Sequence, residues 1–179
     1  MRQTAFGIAL STIVLASGLT NPISSQPTAK KANQSKPVST LSNQAVLASN
    51  YDTSELEKSV FEQINRYRAS KGLSRLTLNS RISKQARIHS QNMANGKVPF
   101  SHNGFEKRVK STLINYQNAA ENVAFNQGYD DPADEAINGW IKSPGHLTNL
   151  KGNFNLTGVG VAVNKQGEVY LTQIFIRNR

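Results

Sequence analysis

The most β-prone stretches of this chain come last and lie side by side. Thr157–Asn164 reads Thr-Gly-Val-Gly-Val-Ala-Val-Asn and Glu168–Ile176 reads Glu-Val-Tyr-Leu-Thr-Gln-Ile-Phe-Ile, both rich in β-branched and aromatic residues, with Lys165-Gln166-Gly167 between them. This spacing predicts a hairpin. Helical patterns come before it. Ser54 and Glu57 are spaced as a capping box ahead of Leu56, Val60, Phe61, Ile64 and Tyr67, and Gly72 provides a stop. A second helix is predicted from Ser80 to Asn95, with Ile82, Ala86, His89 and Met93 on one stripe and Gly96 at its end. Asp131-Pro132 announces a third, with Ile137, Trp140 and Ile141 on its buried side and Pro144 beyond its end. Helices first and a hairpin last, joined by long irregular stretches, predict an α+β domain with helices packed on an antiparallel sheet, not a parallel βαβ repeat.

None of the 179 residues is cysteine, so such a domain holds together by packing alone. Thiolate zinc sites, iron–sulfur clusters and cysteine nucleophiles are excluded with it, leaving His, Asp, Glu and Ser for chemistry. Residues 1–25 are expected to be a signal peptide: Arg2 precedes an apolar run ending at Leu19 that is too short to span a bilayer, and small residues follow. No permanent membrane span is expected once it is cleaved. Residues 26–52, rich in Ser, Gln, Asn, Thr, Pro, Ala and Lys, bury too little to offset their ordering entropy and are expected to form a disordered linker. The folded domain is then 53–179. Its expected setting is secreted or extracytoplasmic, in the periplasm or cell envelope. The net charge of +10 favours anionic envelope polymers or lipid headgroups as partners. No nucleic-acid motif accompanies that charge, so no nucleic acid is expected, and the domain is expected to be a monomer.

Three stretches could carry chemistry. Phe100-Ser101-His102-Asn103-Gly104 presents a histidine in a turn-rich segment after the second helix. Ala120-Glu121-Asn122-Val123-Ala124 puts one carboxylate in an apolar run, where burial demands a cationic, hydrogen-bonding or metal partner. Trp140-Ile141-Lys142-Ser143-Pro144-Gly145-His146 places a second histidine just past a helix stop. The residue types of a serine hydrolase are also present, with Ser143 as nucleophile, His146 as base and Glu121 as orienter. Ser143 lacks a nucleophile elbow, however, and Ser-Pro is explained by the helix stop. His89, on the inward stripe, reads as an interior or cleft-edge residue, and Trp140 as a core anchor.

Together these pieces resemble the CAP, or SCP-like, domain of exported bacterial proteins over roughly residues 55–179. Asn65-Arg66-Tyr67-Arg68, Met93-Ala94, the His102 and Glu121 stretches, Trp140 with Ser143-Pro144-Gly145-His146 and Asn149-Leu150, and the closing hairpin occur in that family's order. The resemblance implies an α-β-α sandwich whose cleft gathers two histidines and two glutamates able to hold a divalent ion such as zinc. The matching positions here are His102, Glu121 and His146, and the second glutamate falls on Ser143. By resemblance Asn122, Ser143 and Gln173 support the cleft. Two imidazoles and a carboxylate make an open zinc site, but no second carboxylate is left to serve as general base. The expected function is thus a non-enzymatic, secreted binding module for a lipid, glycan or peptide of the envelope, with a weakly held cation. A metal-dependent or serine hydrolase and a structural wall protein are the alternatives.

Overall fold

The computed structural model describes residues 5–8, 12–15 and 51–179. Strands β1 (Ala5–Ile8) and β2 (Thr12–Leu15) fall within the predicted signal peptide. The rest of that peptide, and residues 26–50 of the predicted linker, lie outside the described residues. Asp52 is the N-cap of helix α1 (Thr53–Ser70), accepting the Ser54 and Glu55 amides, and the Tyr51 hydroxyl donates to the Tyr129 carbonyl at 2.6 Å. With Asp52 as cap, the predicted Ser54–Glu57 capping box does not form. Glu57 instead points away from the helix end and accepts from the Arg87 guanidinium through bonds of 2.6–2.9 Å.

The order after α1 is β3 (Thr77–Leu78), α2 (Ser80–Ala94), α3 (Phe105–Ser111), β4 (Tyr116–Gln127), α4 (Pro132–Lys142), α5 (Pro144–Lys151), β5 (Leu156–Val163) and β6 (Glu168–Asn178). The second and third predicted helices are present where their caps place them: Asn79 caps α2, and Asp131 caps α4 with Pro132 opening it. The hairpin is present as β5–β6, with Val163 paired to Val169 across the turn. Four elements of residues 51–179, the two-residue β3 among them, lie in stretches that the sequence left irregular. Helix α3 has only seven residues, and β4 alternates weakly because both of its faces are buried. Helix α5 starts directly at Pro144, so the Pro-Gly stop of α4 is also a start.

The sheet runs β3-β5-β6-β4, antiparallel except for the two-residue β3–β5 pairing, and β1 and β2 extend it along the far side of β4. Side chains alternate across it, so each strand serves two cores. On one face Ala120, Ala124, Leu171 and Phe175 pack with α1, α4 and α5 through Val60, Ile64, Trp140 and Leu150. On the other, Ala119, Ile174 and Ile176 pack with α2 and α3 through Ile82, Ala86, Phe105 and Val109. The result is an α-β-α sandwich. Trp140 is fully buried and donates its indole N–H to the Val123 carbonyl at 3.1 Å, as expected of a core anchor.

Two buried polar side chains of α1 fasten the loops. Asn65 bonds both the N–H and the carbonyl of Leu76, and Arg68 donates to the carbonyls of Ser74, Leu150, Gly152 and Phe154. The contact between α2 and β5 is backbone to backbone. A Cβ at Gly160 would lie 2.1 Å from the Arg87 nitrogen and 2.2 Å from the Ala86 carbonyl carbon. Helix backbone cannot yield as a side-chain tip can. We therefore expect Gly160→Ala to destabilise the domain by about 3 kcal/mol, the upper end of what overpacking costs, in urea unfolding.

Candidate functional site

The site is built around two neighbours on β4 that face opposite ways. Glu121 looks toward α3 and Asn122 toward α5, and both are fully buried. A buried carboxylate needs a partner, and Glu121 has two. Arg108 of α3 binds it side-on, Nε to Oε2 at 2.9 Å and Nη2 to Oε1 at 2.6 Å, and His102 Nδ1 donates to Oε1 at 2.9 Å. The same guanidinium donates to the carbonyls of Asn103 and His102, so it also ties down the loop that carries the histidine. Sequence reasoning identified Glu121 as a residue in need of a cationic, hydrogen-bonding or metal partner but missed Arg108. The signal was there, in Phe105 and Val109 at helical spacing after Gly104, with Arg108 on the turn between them.

Asn122 grips the other side. Its Nδ2 donates to the His146 carbonyl at 3.3 Å and its Oδ1 accepts from Asn149 at 2.8 Å, while Asn149 also reaches the Glu121 carbonyl. His146 is buried in the first turn of α5, with Nδ1 2.7 Å from the Ser143 hydroxyl. Gln173 sits opposite Asn122 in the β4–β6 register and donates to Thr157 at 3.2 Å. Asn122 thus contacts α5 directly, while Gln173 bonds to β5 and the Ser143 hydroxyl lies against the His146 ring.

The structure brings His102 and Glu121 into contact and fastens the His146 backbone to the next residue of β4. The carboxylate that would orient His146 in a serine triad is held by Arg108 and His102. As a three-ligand metal set, His102, Glu121 and His146 do not fit, because both Glu121 oxygens are engaged with a cation already present. Among the described residues no three His, Cys, Asp or Glu side chains are gathered as metal ligands. What does fit is an imidazole donor. His102 Nδ1 is spent on Glu121, and its Nε2 is buried with no hydrogen-bond partner among the described residues.

Around this core lie two further features. Phe100, Phe125 and Tyr170 form a half-buried aromatic cluster, with ring centroids 5.2–6.5 Å apart, on the face that carries Glu121. Burial and the neighbouring Glu168 push the Tyr170 hydroxyl up to about 12, so it stays protonated. Between α2 and α3 opens a pocket of about 340 Å³ whose wall includes His89, Asn92, Asn103, Lys107 and Arg108.

His89 is buried and donates from Nε2 to the Ser101 carbonyl at 2.8 Å, bracing the His102 loop. Burial, reinforced by the charge on Arg108, holds its pKa below the ordinary histidine value of 6.5. A depressed histidine pKa means that the unfolded chain takes up the proton first, so its contribution is complete above 6.5 and is lost as pH falls toward the folded-state value. We expect melting temperature to fall on acidification through this window, and to fall less in His89→Gln, which keeps an N–H donor without the titration.

The profile of the cysteine-rich secretory protein family, abbreviated CAP, matches residues 61–175 of this chain. The uncharacterized Bacillus subtilis protein YkwD is 36% identical over 129 residues, covering 69% of this chain and 48% of its own length. The chain thus spans about half the length of that relative. Among solved structures, an extracellular SCP-domain protein of Bacillus anthracis superposes with a TM-score of 0.58 at 26% identity, covering 70% of this chain and 41% of that one. An outer surface protein of Borrelia burgdorferi shares the fold, with a TM-score of 0.60 at 18% identity over 72% of this chain and 97% of its own. No helix among the described residues is long and apolar enough to cross a membrane. The family match extends over well more than half of the sequence and takes in every element that positions His102, Glu121 and His146: the chain belongs to the cysteine-rich secretory protein (CAP) family.

Proposed function

We propose that this domain is an extracytoplasmic binding module whose ligand belongs to the cell envelope, recognised at the cleft walled by the His102 loop and the Ser143–His146 turn. The observation that carries this reading is the Arg108–Glu121 pair. A carboxylate held side-on by a guanidinium at 2.6–2.9 Å is a fixed structural anion, poorly suited to take a proton from water or to orient a second histidine. The cleft therefore has an imidazole presented by a rigid frame, while Glu121 is committed elsewhere and serves neither as the general base of a metal-dependent hydrolase nor as the orienter of His146 in a serine hydrolase.

The flanking aromatic cluster and the pocket beside Arg108 supply the apolar surface and polar edges of a ligand site. The net charge of +10 favours residence near anionic wall polymers or headgroups. The similar Bacillus anthracis SCP-domain protein is extracellular, which supports the same setting for this chain. A divalent cation such as zinc would be held by the His102 and His146 imidazoles, with Glu121 as the carboxylate behind His102. Two imidazoles without a third protein ligand hold such an ion weakly.

Calorimetric titration of the chain with zinc tests this arrangement. The expected result is weak binding that disappears in His102→Ala and in His146→Ala. A heat of binding that neither substitution alters would remove the cation from the account, and hydrolysis of ester or peptide substrates abolished by Ser143→Ala would replace binding by catalysis.

A further inference from the structure

The pocket between α2 and α3 carries polar groups that the domain itself does not use. Its volume of about 340 Å³ is that of a small-ligand site, and two helical stripes line it. From α2 come Gln85, Ile88 and Asn92, whose spacing puts them on one face of the helix, next to the inward stripe of Ile82, Ala86 and His89. From α3 come Lys107, Arg108 and Ser111, with Asn103 just before the helix. Across the gap these groups do not bond to one another. The side chains of Gln85, Asn92 and Asn103 make no hydrogen bond, and the Lys107 ammonium no ion pair, among the described residues. They are available to a ligand that fills the space.

The neighbouring charges are already matched. Arg108 is paired with Glu121, and Lys110 faces Glu106 at 4.0 Å. No carboxylate lines the pocket, so Lys107 leaves its wall with one unbalanced positive charge. His89 adds none at neutral pH, because burial disfavours its charged form, and with Nε2 donating to Ser101 its Nδ1 can only accept. Ile88, 44% exposed, and Val98 supply apolar surface. A smaller pocket of about 190 Å³ beside α1 shows the contrast. Its charged residues are answered within the domain, Arg87 by Glu57 at 2.6 Å and Lys58 by Glu55 at 4.0 Å.

That combination selects a ligand. One cation with no carboxylate favours a single negative charge, amides beside an accepting imidazole suit hydroxyl groups, and Ile88 with Val98 suits the C–H face of a ring. A fatty acyl chain would strand three amides, and a cationic ligand would meet Lys107. We propose that the α2–α3 pocket is a subsite for a sugar-sized polyol bearing one acidic group, carboxylate or phosphate, with Lys107 on the acid and Gln85, Asn92 and Asn103 on the hydroxyls. The proposal rests on the reading of the domain as an envelope-binding module and names the chemistry of one unit of its ligand. Arg108 forms the partition between this subsite and His102: its guanidinium nitrogens are engaged by Glu121 and by the carbonyls of Asn103 and His102, so it serves as a wall.

Amide chemical-shift titration of the full 179-residue chain with glucuronate, glucose 6-phosphate and glucose tests it. An acid of either kind is expected to shift amides of residues 85–92 and 103–111 with a dissociation constant on the order of 1 mM. Glucose, without the charge, should bind about tenfold more weakly. Lys107→Gln changes an exposed side chain and should bring the acids down to the affinity of glucose, as should added salt. Asn92→Leu should weaken acids and glucose alike. Equal binding of glucose and the acids, indifference to Lys107→Gln, or no shift up to about 20 mM ligand would overturn the proposal. Trigalacturonate binding at least as tightly as galacturonate would identify the source as a polymer, and its exclusion would identify a free sugar acid. Binding of the acids that persists in His102→Ala places them in the pocket, whereas its loss would move them to the cleft and remove the subsite. Histidine-dependent zinc binding without any response to the acids leaves the cleft reading standing and removes only this proposal.

Discussion

One strand fastens both histidine-bearing segments because its side chains alternate. Glu121 and Asn122 are consecutive in β4, so a carboxylate enters one layer of helices and an amide enters the other at the same height in the sheet. The carboxylate fixes α3 and the His102 loop through Arg108; the amide fixes α5 through the His146 carbonyl and Asn149. Leu150 and Phe105 anchor the adjoining helices in the apolar clusters, and these polar contacts fasten the histidine-bearing stretches themselves. A one-residue slip of β4 would exchange the two side chains between faces, burying the carboxylate where no guanidinium awaits it. The apolar pairs that flank this point, Ala119 with Ile176 and Ala120 with Phe175, set the register that prevents it.

That arrangement also determines what the cleft can do. The residue types of a metal centre and of a serine triad are all present, but contacts decide their roles. Arg108 is the deciding neighbour. By pairing with both oxygens of Glu121 it makes that carboxylate the support behind His102, whose Nδ1 is committed to it. His89, held neutral by burial, braces the same loop from α2 through the Ser101 carbonyl.

Much of this was legible in the sequence wherever local chemistry decides the outcome. Asp131-Pro132 opened a helix because cap and fixed φ act within a few residues, and the closing hairpin followed from two β-branched runs with a short turn between them. The stripe of Ile82, Ala86, His89 and Met93 was buried as its spacing implied. Other features were hidden because they depend on distant partners. β4 lacks the alternation of a half-exposed strand, since helices cover both of its faces, and α3 is too short to show a period. The cap of α1 fell to Asp52 in place of Ser54, one acceptor being enough to satisfy the same orphan amides. Glu57 was thereby free for Arg87 and for the β5 edge. His102, Glu121 and His146 could be listed from the sequence and its family resemblance; that Arg108 stands against the carboxylate required the fold.

The account turns on the Arg108–Glu121 pair being a structural unit, and a double-mutant cycle measures that directly. Unfolding free energies would be compared for the parent chain, Arg108→Met, Glu121→Gln and the double substitution. Each single change leaves a buried group without its partner and is predicted to cost about 3–5 kcal/mol, with the double change costing little more than either alone. Single costs that simply add, to within about 0.5 kcal/mol, would contradict the account, because Glu121 would then not depend on Arg108 and would again be available as a ligand or base.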